Sequence, residues 1–273
     1  MSLINGLMTG AIDLMFAPFE RGSGWLSLVL AAGVLALMGL LVYRYTSNQA
    51  AIRRTKARIK AELLAIRLFR DEPGVIVGAM LTTLTGSAAL LRYALAPLAV
   101  MVVPFALILA QLAMRYQWRP VRVDEAVLVT AGVDSDVDLM KNPPRIESGE
   151  TVVIDEPPVR IPAERRVVWR VRAKAAGIHE INVLVGGRGV PKTLTVGDGF
   201  QAVSPKRVQA GLWHRVMYPA EGAIPADAAV KWISIDYAPR ESWFCGATVW
   251  VLWLIGISYV WALVLKRWMG VEF

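Results

Sequence analysis

Three long stretches of this chain carry no charged residue: 22–43 and 93–114, of 22 residues each, and 242–265, of 24. A helix rises ~1.5 Å per residue and a bilayer's hydrocarbon core is ~30 Å thick, so each stretch is long enough to cross. Inside lipid the backbone must satisfy its own hydrogen bonds, so these stretches are expected as helices. Trp25 and Tyr43 sit near the ends of the first, where amphipathic rings favour the interface, and Arg44 closes it. Arg92 and Arg115 bracket the second, and Lys266-Arg267 close the third.

Charge then orients the crossings. Between Arg44 and Arg92 there are nine basic and three acidic residues, whereas 120–241 holds 16 of each. Basic flanks mark the cytosolic side, and long neutral loops are read least strictly. With 44–70 inside, the first crossing runs inward, the second outward and the third inward, which puts Lys266-Arg267 inside as well. The expected location is the inner cell membrane, multi-pass, with the N-terminus outside, the C-terminus cytosolic and 116–241 extracytoplasmic.

The first 21 residues space Leu3, Ile4, Leu7, Met8, Ile12, Met15 and Phe16 along one helical face, interrupted by Asp13, which predicts an amphipathic helix on the membrane surface. It lacks the basic start of a secretory signal. After the first crossing, Ile52, Ile59, Leu63, Ile66 and Phe69 form a helical stripe among Arg53, Arg54, Lys56, Arg58 and Lys60, ending before Pro73-Gly74. Residues 75–91 are uncharged but carry Thr82, Thr83, Thr85, Gly86 and Ser87. Only Arg92 separates them from the next crossing, leaving no room for a turn. They are therefore expected as a second helix, pairing with the basic one as a cytosolic hairpin over 44–92, before a transmembrane helix at 93–115. Pro97 and Pro104 are expected to kink that helix or to leave carbonyls that neighbours satisfy, with the first turn, where it costs little, as the alternative place for Pro97.

From residue 121 the pattern becomes β. Short apolar runs at 126–129, 151–154, 167–173, 180–185, 192–196 and 231–237 are separated by turn-formers such as Pro157-Pro158, Gly186-Gly187 and Gly197-Asp198-Gly199. Runs 167–172 and 179–185 are expected to pair as a hairpin, and the ~120-residue region fits an immunoglobulin-like sandwich. The expected fold is an α-helical membrane protein with three transmembrane helices (22–43, 93–115, 242–265), a cytosolic helical hairpin, an all-β immunoglobulin-like domain on the outer side and a cytosolic tail at 266–273.

Catalytic motifs are missing from the sequence. One cysteine, Cys245, allows no internal disulfide, and two histidines form no metal-ligating spacing. Gly186-Gly187-Arg188-Gly189 joins strands and is too short for a phosphate loop. Ser204 and Ser242 have no histidine-bearing elbow, His179 and His214 read as ordinary β-domain residues, and Asp155-Glu156 reads as a solvated turn. No catalytic residue, metal or cofactor is expected, and no nucleic-acid module is visible to use the positive charge. The sequence reads as that of a non-enzyme.

The order of elements, with Val42-Tyr43-Arg44-Tyr45-Thr46-Ser47-Asn48-Gln49 leading into the basic helix and then 97–111, resembles the YidC/Oxa insertase superfamily, particularly its short members related to the insertase subunit of the endoplasmic reticulum membrane complex. The resemblance covers about half the chain. It implies a protein that assists insertion of hydrophobic segments through a polar groove, without a nucleotide, with Arg44, Asn48, Gln49, Arg92 and Gln111 as groove contacts and Arg53, Arg54, Lys56, Arg58 and Lys60 as a basic cytosolic contact. Arg44 also reads as an interfacial anchor that snorkels. The implied partners are the lipid bilayer and nascent membrane proteins, with the ribosome or other membrane-complex subunits as further candidates. The alternative is a structural subunit that anchors a β domain in a larger complex, with Trp243, Phe244, Trp250, Trp253 and Trp261 as a packing surface.

Overall fold

The computed structural model describes Gly10, Phe16 and residues 24–69, 71–209, 211, 218–246 and 248–270. The amphipathic helix expected over 1–21 lies outside the described residues but for Gly10 and Phe16. Among the described residues, three helices are long and apolar enough to cross a membrane: α1 (Gly24–Thr46), α3 (Pro73–Tyr116) and α4 (Val249–Met269). Between the first two lies the basic helix α2 (Gln49–Leu68). The chain divides into two compact units. One comprises 29–105 with 254–273, and the other 1–28 with 106–253.

In the first unit, α1 is built of Leu, Ala, Val and Gly with no charge before Arg44 in its last turn. Small residues admit close neighbours: the Trp261 indole of α4 lies 3.3 Å from where a side chain on Gly33 would begin, and Met101 Cε of α3 lies 3.7 Å from the same point on Gly39. After α1, Asn48 caps α2, its side chain accepting from the Ala51 N–H at 3.0 Å. The helix closes with the Phe69 N–H on the Ala65 carbonyl. Pro73 then opens α3 at its first position, where a missing N–H costs nothing.

Here the expected boundaries change. Residues 73–116 form one helix of 44 residues, about 66 Å long at ~1.5 Å per residue, so 75–91 and 93–115 are one element. Two of the hydroxyls that suggested an interruption are satisfied on the helix itself, whereas Thr83 Oγ1 is buried without a partner. Thr85 Oγ1 donates to the Leu81 carbonyl at 3.0 Å and Ser87 Oγ to that of Thr83 at 2.8 Å. Pro97 and Pro104 both lie in the helix interior, so Pro97 is not in a first turn. The two helices do touch. Ile59 Cγ1 of α2 stands 2.9 Å from where a Gly86 side chain would begin, so α2 folds back along α3 over a glycine. Ile52 and Ile59 on α2, and Ala79 and Gly86 on α3, share the seven-residue spacing of a two-helix seam.

In the second unit, nine strands among the described residues form two antiparallel sheets. They are β1 (Ala126–Val133), β2 (Arg145–Ser148), β3 (Val152–Ile154), β4 (Val159–Ile161), β5 (Arg166–Ala173), β6 (Gly177–Val185), β7 (Arg188–Val196), β8 (Lys206–Val208) and β9 (Val230–Ile235). One sheet runs β3-β5-β1-β9-β8, with β4 also on β5; the other runs β2-β6-β7. Strands β3 and β4 lie end to end along one edge of β5, broken by Pro157-Pro158, and the proline pair blunts that edge against further pairing. Inward residues from both sheets, among them Val129, Trp169, Val171, Ile181, Val183 and Leu194, form one core.

The hairpin expected between 167–172 and 179–185 does not form. Both edges of β5 are taken, by β1 and by β3 with β4, so Lys174–Ala176 carries the chain to the other sheet, where β6 pairs with β2 and β7. The β6–β7 turn is tight because Gly186 and Gly187 take φ of +57° and +81°, angles that disfavour side chains.

Candidate functional site

The basic helix is the most strongly charged element. Its sequence carries six basic residues and one acidic one. Arg53, Arg54, Arg58 and Lys60 are exposed and Lys56 is half-buried, around the circumference left free by the Ile52–Ile59 seam. The helix presents a cationic surface suited to anionic headgroups or acidic peptide segments.

Between the helices of the same unit lies a groove of about 280 Å³. Leu35, Gly39 and Tyr43, four residues apart on one face of α1, form one wall; Met101 and Phe105 of α3 and Ile255, Ser258 and Tyr259 of α4 form the others. The lining is almost wholly apolar. Its one aliphatic hydroxyl, Ser258 Oγ, is buried without a hydrogen-bond partner.

None of the five residues expected to line a polar groove lines this one. Arg44 is exposed, one residue beyond Tyr43. Asn48 is spent on capping α2, and Gln49 Nε2 donates to Ser47 Oγ at 2.5 Å. Arg92 is an exposed residue midway along α3. Gln111 is buried, but in the other compact unit. The residues that line this apolar groove gave no signal of their own, because Leu, Gly, Met and Phe look alike on any membrane helix.

The second unit contains a charged cluster that the sequence reading missed. Lys192 on β7 is 1% exposed, and its Nζ donates to the Ser204 carbonyl, to Ser204 Oγ at 2.7 Å and to Glu221 Oε1 at 2.9 Å. Glu221 Oε1 also accepts from the Thr193 N–H at 3.0 Å, and Arg207 Nε stands 3.9 Å from Oε2. Burial pushes the Lys192 ammonium down to about 8, with Glu221 opposing the shift. All three ammonium hydrogens are used, so Lys192 is a satisfied internal charge and Ser204 serves as its acceptor. A signal was present: Val190, Lys192, Leu194 and Val196 share inward parity, which places a lysine among core residues.

The other residues singled out from the sequence are likewise held structurally. His179 Nδ1 lies 3.0 Å from Thr151 Oγ1 and its Nε2 2.8 Å from the Ala175 carbonyl. Ser242 Oγ accepts from the Cys245 N–H at 3.1 Å. Asp155 and Glu156 are ion-paired to Arg172 and Arg170 of β5 at 3.0 and 3.3 Å. His214 lies outside the described residues.

Where α3 ends and α4 begins, aromatic rings gather within the second unit. Trp25 packs on Trp243, Phe244 and Trp253 with centroids at 4.7, 5.6 and 5.3 Å, and Tyr116 stacks on Trp250 at 6.0 Å. The Tyr116 hydroxyl meets Ser27 Oγ at 2.7 Å. Two arginines enter the cluster: Arg115 Nη1 donates to the Phe200 carbonyl at 3.3 Å, and the Arg240 guanidinium lies 4.2 Å over the Phe200 ring. Four of the five aromatics proposed as an outward packing surface are thus engaged within the chain, and Trp261 covers Gly33 in the other unit.

No protein-family model, curated protein or solved structure matches the chain.

Proposed function

We propose that the protein is a membrane protein insertase or membrane-protein chaperone that receives apolar segments in the groove walled by α1, α3 and α4. The observation that carries this reading is the combination, in one compact unit, of an apolar groove of about 280 Å³ with a basic helical pair continuous with one of its walls. The order of elements behind the likeness to the YidC/Oxa superfamily supports the same reading. The basic pair attracts acidic flanks of a client or rests on anionic headgroups; the groove then offers an apolar surface, with Ser258 Oγ as a free hydrogen-bonding group for a polar atom of the guest. No nucleotide is required, because moving a client's apolar surface from water into lipid releases about 25 cal/mol per Å². On this reading α2 and Lys266-Arg267 face the cytosol of a cell membrane, and the β domain is an immunoglobulin-like module on the outer side.

A scaffold subunit is the second reading. It is favoured by apolar residues left open on the helical pair, with Leu64, Leu68 and Leu84 at 64%, 77% and 68% exposure, a surface suited to a fixed partner. Photocrosslinking from Met101, with stalled nascent membrane proteins as bait, separates the two. Crosslinks to many different nascent segments, weakened by charge reversal at Arg53, Arg54 and Arg58, are the expected result. A single unchanging mature partner overturns the insertase reading in favour of the scaffold.

A further inference from the structure

The two linkers that join the β domain to the membrane helices are hydrogen-bonded to each other. The Arg119 N–H donates to the Ala238 carbonyl, and the Arg240 N–H to that of Gln117, both at 3.0 Å. Against this neck, within the second unit, lies a pocket of about 350 Å³. Its wall carries Arg119, Arg122 and Arg240 together with Asp198 and Glu241, and the Gly197-Asp198-Gly199 turn brings backbone close to it. The volume falls at the lower end of the range for small-ligand sites, ~300–1,000 Å³.

The charges in this pocket are unevenly satisfied. Arg119 is held by Glu125 through two hydrogen bonds, at 2.7 and 2.6 Å. Arg240 differs: its Nε donates to the Arg115 carbonyl at 3.1 Å, its Nη2 is buried without an acceptor, and no carboxylate pairs with it among the described residues. Burial pushes its guanidinium below the ordinary arginine range. On the other side, Asp198 and Glu241 are exposed carboxylates, with no ion pair to either among the described residues. A half-buried cation lacking a counter-charge, beside open carboxylates, is complementary to a ligand that carries both signs.

Position narrows the choice of ligand. Arg119 comes three residues after the last residue of α3, and Arg240 nine before the first of α4. Phe200, which follows the Gly197–Gly199 turn, stacks on Phe244 at 6.1 Å within the aromatic cluster. Such rings settle at the headgroup level of a bilayer. We propose that this pocket seats the headgroup of an amine-bearing zwitterionic phospholipid, its phosphate beside Arg240 and Arg122 and its ammonium beside Asp198 and Glu241. Occupation ties the neck to the membrane surface and supplies the counter-charge that Arg240 lacks.

The test is native mass spectrometry of the full chain in detergent, titrated with phosphatidylethanolamine and, separately, with phosphatidylglycerol. Phosphatidylethanolamine is expected to bind about tenfold more tightly, a difference of about 1.4 kcal/mol. Asp198→Asn with Glu241→Gln, both at exposed positions that leave the Arg240 packing intact, is expected to abolish that preference, while Arg122→Gln weakens both lipids. Glycerophosphoethanolamine is added as the soluble probe. Binding of the lipid with only weak competition from the probe supports a bilayer source. Equal binding of the two lipids, a preference unmoved by the double substitution, or binding of the soluble probe in place of the lipid overturns the proposal.

Discussion

The two compact units solve opposite problems with the same chain. In the β-bearing unit many charged groups are drawn into pairs: Arg119 with Glu125, Arg172 with Asp155, Lys231 with Asp134 and the buried Lys192 with Glu221. Every ion pair formed between described residues falls there. In the helical unit the large apolar residues point outward instead, Leu98, Val102 and Val103 among them at 63%, 56% and 57% exposure. One surface is finished for water and the other for lipid. Burial therefore carries different information in the two: an exposed valine is a surface detail in one and, in the other, part of a helix apolar enough to cross a membrane.

The largest effect is expected where the β unit hides a charge. Glu221→Ala leaves the Lys192 ammonium buried without its carboxylate and should destabilise the β domain by about 3–5 kcal/mol, read by hydrogen exchange of β6 and β7 in the full chain. Replacing Lys192 and Glu221 together by Met and Leu should recover most of that loss, because no lone charge remains. The pair also sets a pH dependence. Lys192 titrates at about 8 in the fold against an ordinary 10.5, so between those values the unfolded chain holds more protons and stability rises with pH.

A matched pair of surface substitutions tests the contrast directly. Val103→Asp, midway along the uncharged run of α3, should cost about 2.5–3.5 kcal/mol of membrane insertion in a glycosylation-reporter assay. Ile178→Asp, at a still more exposed β6 position, should change stability by no more than about 0.5 kcal/mol. Equal penalties would mean that the helical unit does not face lipid.

The smallest effect lies at the neck. Arg119 beside Glu125 holds that carboxyl down at about 2 against an ordinary 4.5, so the contribution of the pair is complete above pH 4.5 and lost as pH falls toward 2. The pair is partly solvent-exposed, so the loss should appear as a shallow acid limb in thermal unfolding, absent in Glu125→Gln.

Several features could be read without coordinates because their cause is local. An uncharged run of 22 residues leaves the backbone few ways to satisfy itself in lipid, so the three membrane-competent helices follow from composition alone. Alternation and turn residues marked the longer strands to within a few positions. It did not reveal β2, β4 and β8, whose three or four residues are too few to show a period.

What tertiary structure decided depends on partners distant in the chain. Polar residues at 82–87 look like a break in the sequence, yet Thr85 and Ser87 find carbonyls four residues back and one helix runs from Pro73 to Tyr116. The partner of β6 depends on which edges of β5 other strands have already filled, which adjacency in sequence does not encode. Residue type alone does not say which faces line a cavity; packing decides that, and it makes Leu35, Gly39, Met101 and Phe105 the wall of the apolar groove. Sequence by itself determined which segments belong in lipid and which in water, because transfer free energy is a property of each stretch. Which surfaces meet was left to the fold, because contact depends on the whole chain at once.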